Sequence, residues 1–134
     1  MNLQPGTAEH RGASVARLWH AVQRLALEPA EQVAQFPVGV AVADELALDL
    51  DHWLEVCSAW GYLEGDISRP LGAIDDLLGS MSGPDQKERW THEALATDPG
   101  WREARTMARE VLRLAGWPRG SPPKPEDEGT TYVR

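Results

Sequence analysis

The sequence predicts an all-α protein: an irregular bundle of four main helices plus one or two short helices, followed by a disordered C-terminal tail. Three observations lead there. Apolar residues recur at three- and four-residue spacing in four separate stretches. Helix-start and helix-stop residues stand at the ends of those stretches. Only one short run, Val38 to Val42, has strand propensity, and a lone strand would leave its backbone groups unpaired.

In chain order, residues 1–13 hold Pro5, Gly6 and Gly12 without apolar period and read as a flexible arm. Ser14 reads as the N-cap of the first main helix, whose apolar set is Val15, Leu18, Trp19, Val22, Leu25 and Ala26. Arg17 and Arg24 fall on its other side. Pro29 suits a first helical turn and opens a short helix that Pro37 ends. Val38 to Val42 is then an extended connector. From Asp44 to about Tyr62, Leu46, Leu50, Trp53, Leu54 and Cys57 gather on one helical face.

Ser68-Arg69-Pro70 reads as the start of the third main helix, with Leu71, Ile74, Leu77, Leu78 and Met81 inward and Ser82-Gly83-Pro84 as its stop. Residues 85–96 carry a shorter, weaker helical pattern around Trp90 and Leu95. Asp98-Pro99 combines a capping carboxylate with a first-turn proline. Trp101, Ala104, Ala108, Val111, Leu112 and Ala115 line the last helix, and Gly116 ends it. Residues 118–134 hold four prolines and no apolar period, so they read as disordered, with Trp117 able to dock on the body. The chain of 134 residues thus divides into an arm (1–13), one helical domain (14–117) and a Pro-rich tail (118–134).

Composition narrows the function classes. No apolar run is long enough for a membrane span. The N-terminal residues lack a basic-then-apolar leader, and the one cysteine, Cys57, has no partner for a disulfide; both fit a cytoplasmic protein. Eleven of thirteen basic residues are Arg, a bias that GC-rich bacterial coding produces. The net charge of −8 argues against nucleic acid and anionic membranes as partners. Six Trp against one Phe point to indoles as core material.

The charge is unevenly placed. Between Glu28 and Asp98 stand fifteen carboxylates against three basic residues, whereas the first 27 residues and the last helix are each mildly basic. Two readings follow. The terminal arginines can lie over the central acids and compensate them. Alternatively, the acids stay free and form a face for a basic ligand. The helix from Asp44 favours the second reading, because Asp44, Asp51 and Glu55 share the side opposite the apolar stripe, with Glu45 and His52 a little further round. Leu48 sits among them where a polar residue is expected. A leucine ringed by carboxylates makes a binding hot spot with an electrostatic rim, unless a neighbouring element covers it. Asp75 and Asp76 are expected to add to that face from the next helix.

No catalytic or cofactor motif accompanies this pattern. Asp49-x-x-His52 is half of a carboxylate-bundle metal site, and Glu88 and His92, four apart, do not complete it. Cys57 lies on an apolar face and reads as core, although pairing with His20, His52 or His92 as a nucleophile stays open. The expectation is therefore a protein that is not an enzyme, binds no metal and carries no cofactor.

The strings VADELALDLDHWLE (Val42 to Glu55) and LLGSMSG…RWTHEAL…DPGWREARTMAREVLRLAGW (Leu77 to Trp117) resemble small acidic bacterial immunity proteins of polymorphic toxin systems. The likeness covers roughly residues 14–117 and rests on hydrophobic spacing with Trp and acidic landmarks. It implies binding and neutralisation of a toxin whose basic cleft is opposite in sign to the acidic face. The competing expectation is a structural or regulatory adaptor that dimerises through its Trp-rich helices.

Overall fold

The computed structural model describes residues 3–130. It is 73% helical and has no strand among the described residues. Four long helices carry the fold: α1 (Ala8–Ala26), α3 (Val42–Ala59), α4 (Gly65–Ser80) and α6 (Pro99–Ala115). Two short ones, α2 (Pro29–Ala34) and α5 (His92–Thr97), lie in the connections. A 3₁₀ segment, Pro84–Trp90, bridges α4 to α5, and a second, Pro125–Glu128, lies in the C-terminal stretch.

Each long helix buries the stripe that its periodicity marks. Leu18, Val22 and Leu25 of α1 meet Leu46, Leu50 and Cys57 of α3, Leu71, Ile74 and Leu78 of α4, and Trp101, Ala108 and Leu112 of α6 in one core. The helices touch in the order α3–α1–α6–α4, while α4 meets α3 only slightly. That last seam is open, and it matters below.

The C-terminus of α1 is buried, so its last carbonyls need donors that the helix itself cannot supply. Side chains from elsewhere provide them. Gln32 donates to the carbonyls of Arg24 and Leu25, both at 3.1 Å; Arg109 donates to that of Ala26 at 3.0 Å; Arg105 donates to that of Leu27 at 3.0 Å. Asp98 caps α6 by accepting from the Gly100 N–H at 2.7 Å. Arg89 holds the same carboxylate with two bonds of 2.8 and 3.0 Å, and this hydrogen-bonded guanidinium keeps the Asp98 carboxyl below its ordinary range. Gly116 stops α6 in the left-handed conformation at φ 70°.

The first helix begins earlier than its apolar period suggests. Thr7, not Ser14, is the N-cap: its hydroxyl accepts from the His10 N–H at 3.1 Å, and Ser14 lies buried inside the helix. Residues 8–13, expected in the flexible arm, are helical. Their outer surface stays in solvent, so no apolar stripe announced them. The segment before them is tied down as well, because the Gly6 N–H donates to the Tyr62 hydroxyl at 2.9 Å. Residues 1–2 of the expected arm lie outside the described residues.

Helix α4 likewise starts at Gly65, ahead of Ser68, and runs through Pro70 at the cost of one backbone bond. Val38 to Val42 is a turn rather than an extended connector: Gly39 has φ 93°, the Val40 N–H donates to the Pro37 carbonyl, and Val42 already belongs to α3.

The largest correction concerns the C-terminal stretch. Residues 118–130, expected within the disordered tail, form a strap across α1. Trp19 and Gln23 donate to the Pro118 carbonyl at 3.1 and 2.8 Å, Gln35 to that of Pro122 at 3.2 Å, and Arg24 to that of Pro123 at 2.8 Å. Proline carries no N–H, so a Pro-rich strand offers stiff, unpaired carbonyls. The donors that meet them are remote in sequence, which is why apolar period gave no sign of the contact. Arg24, on the side of α1 opposite the apolar set, is 2% exposed beneath the strap. Residues 131–134 of the expected tail lie outside the described residues.

Candidate partner-binding groove

Along the open α3–α4 seam runs a groove of about 610 Å³. Helix α3 contributes Asp44, Ala47, Leu48 and Asp51, α4 contributes Asp75, Leu78 and Gly79, and Ser82 follows just beyond the end of α4. The α3 set follows i, i+3, i+4, i+7 spacing and the α4 set i, i+3, i+4, so each is one continuous face of its helix. The 3₁₀ segment forms the third wall with Lys87 and Trp90.

That wall is held firmly. The Trp90 indole N–H donates to the Met81 carbonyl at 2.9 Å, and its ring stands edge-on to Trp101 with centroids 5.2 Å apart. Trp101 in turn donates to the Arg89 carbonyl at 2.7 Å. The small residues Ala47 and Gly79 leave the space between the two helices unfilled.

Leu48 is 60% exposed in this groove, not covered by a neighbouring element. Lone exposed leucines are common, but this one lies in a concavity walled by three carboxylates and floored by Leu78 and Trp90. Of the eight sequence-predicted site residues, the groove gathers Asp44, Leu48, Asp51 and Asp75. Glu45, His52, Glu55 and Asp76 lie outside its lining. His52 is exposed and stands edge-on to Trp53, with centroids 4.7 Å apart; Glu55 and Asp76 face solvent. Sequence reasoning missed Lys87, Trp90, Ser82 and Gly79. Their partner faces across the seam are set by helix packing, which no local pattern records.

Asp51 of α3 and Asp75 of α4 line the groove from opposite sides of the seam and interact across it. Burial, that contact and the Asp51 charge push the Asp75 carboxyl up to about 6, with Asp76 adding to the shift. At the other flank, partial burial and the nearby Asp49 and Asp44 raise Glu45 above its ordinary value.

The terminal arginines do not cover this surface. Arg24 pairs with Asp49 at 2.8 Å, Arg109 with Glu28 at 3.1 Å, and Arg11 reaches Glu64 only at 3.9 Å. Arg17 lies over the Trp53 ring, 5.0 Å from its centroid. Asp44, Asp51, Glu55, Asp75 and Asp76 form no ion pair among the described residues.

The other chemistry weighed from sequence is dispersed. Asp49 is paired with Arg24 at 2.8 Å. His92 is 3.2 Å from the Val40 carbonyl, and His20 is 2.7 Å from Glu128. Cys57 is fully buried, and burial lifts its thiol to about 11, which leaves it inert as a nucleophile at neutral pH. Among the described residues no three His, Cys, Asp or Glu side chains are placed to hold a metal ion, and no helix is long and apolar enough to cross a membrane. Comparison with protein-family models, with curated proteins and with solved structures finds no match to this chain.

Proposed function

We propose that this chain is a non-enzymatic binding protein of the immunity type, which neutralises a basic toxin domain in the cytoplasm by engaging it through the α3–α4 groove. One observation carries the reading: Leu48 is exposed at the centre of a concavity whose three aspartates no arginine neutralises. An apolar anchor inside an uncompensated acidic rim suits a partner with a basic surface and an apolar projection. The surplus charge speeds encounter, and salt slows it.

The test expresses the genes that neighbour this one, each with and without this chain, and follows growth where a neighbour's product is toxic. Native chain restores growth, and an Asp51→Lys/Asp75→Lys variant of equal helicity does not. Equal rescue by the variant overturns the groove as the binding surface. No rescue by native chain overturns the immunity reading. A dimer by sedimentation, insensitive to salt, favours the adaptor instead.

A further inference from the structure

The order of helix contacts leaves α3 and α4 as adjacent helices that barely touch, with a groove where side-chain packing would otherwise close the ring. The facing row on α3 runs for two turns and that on α4 for about one. Their polar ends are Asp44 at one end and the Asp51–Asp75 pair at the other, with Leu48 and Leu78 between. Asp44 and Asp51 are seven residues apart, which is about 10 Å along a helix axis.

Resting on the reading above, we propose that the groove receives a single amphipathic helix of the partner, with arginines seven residues apart flanking an aliphatic pair. A helix repeats its own face at the same interval, so its i and i+7 positions match the two acidic ends and its i+3 and i+4 side chains meet Leu48 and Leu78. Arginine suits the Asp51–Asp75 end because a planar guanidinium bonds two carboxylates at once. Lys87 is the one cation among the lining residues, so the wall stays net negative and complementary to such a face. Small Ala47 and Gly79 allow the incoming helix to approach closely.

The probe is a short alanine-based helical peptide with Arg at i and i+7 and Leu at i+3 and i+4, titrated into isotopically labelled native chain. The control has the same composition and helicity but places Arg and Leu on opposite faces. The facial peptide is expected to shift the amides of Leu48, Asp51, Asp75 and Trp90, and to bind at least about ten-fold tighter than the control. An Asp51→Asn/Asp75→Asn variant should abolish that preference, and its native-like spectrum would show that the fold is kept.

Equal binding of both peptides overturns the helical register. So does the absence of shifts at the groove. If either happens while growth rescue still depends on Asp51 and Asp75, the helix proposal fails and the acidic-groove reading survives. If rescue is also independent of those residues, both fall.

Discussion

Arg24 of α1 and Glu128 of the C-terminal strap form a buried ion pair across 104 positions of sequence. The same guanidinium bonds Asp49 of α3 at 2.8 Å and the Pro123 carbonyl at 2.8 Å. Glu128 is further held by His20 at 2.7 Å, and its backbone carbonyl accepts from Arg17 at 2.9 Å. One side chain thus fastens the strap to two helices, and the strap seals the arginine from water. Buried charges persist only when paired in this way.

Removing either member of that pair therefore weakens the fold unequally. Glu128→Ala leaves Arg24 with Asp49 as counter-charge and should cost about 2 kcal/mol. Arg24→Ala leaves Asp49 without its cation and Glu128 with Arg17 and His20 alone, and should cost about 3–5 kcal/mol. Urea denaturation at neutral pH measures both. Equal losses would mean that the strap, and not the arginine, is the dominant element.

Leu48 and Leu50, two positions apart on α3, should separate binding from stability. Leu50 is fully buried, so Leu50→Ala should destabilise by about 2–5 kcal/mol. Leu48→Ala should leave stability within about 0.5 kcal/mol while weakening partner capture. Thermal unfolding with growth rescue checks both halves.

The Asp51–Asp75 contact makes capture of a basic partner sensitive to pH. With the Asp75 carboxyl at about 6, its proton is held at pH 5 and released by pH 7, so binding should tighten across that interval. The groups facing it are Asp51 across the seam, Asp76 on its own helix and Lys87 on the same groove. For folding the sign is opposite. A carboxyl whose folded value exceeds its unfolded one destabilises the native state as pH rises from about 4 to about 6. Asp75→Asn should therefore stabilise the protein at pH 7, by about 1 kcal/mol after allowance for solvent screening, and hardly at all at pH 3. Denaturation at the two pH values shows the difference; a variant that stabilises equally at both would mean that the raised Asp75 carboxyl is not the cause.

Gly100 is a position of close approach. A Cβ there would stand 2.6 Å from the Met81 sulfur and 2.7 Å from the Arg89 guanidinium, both of which serve the wall behind Trp90. Gly100→Ala should cost about 1–3 kcal/mol through overpacking, despite alanine's better helix propensity. A raised melting temperature would show that the two side chains move aside freely.

Much of this protein was legible residue by residue. The stripes of all four long helices, the Asp98 cap and the Gly116 stop follow from spacing and from residue chemistry, because each is a property of one segment, whereas the sequence left open whether the face around Leu48 is covered. Tertiary structure alone decided which segment each face would meet. Hydrophobic burial states that a stripe must be covered but not by what, since it is non-directional. Hence the open seam that brings Asp75 to Asp51 and Trp90 to Leu48, and the strap that buries Arg24, depend on contacts between residues far apart in the chain. Their anchors are polar and individually unremarkable in sequence; they become a site only when packing has set their distances.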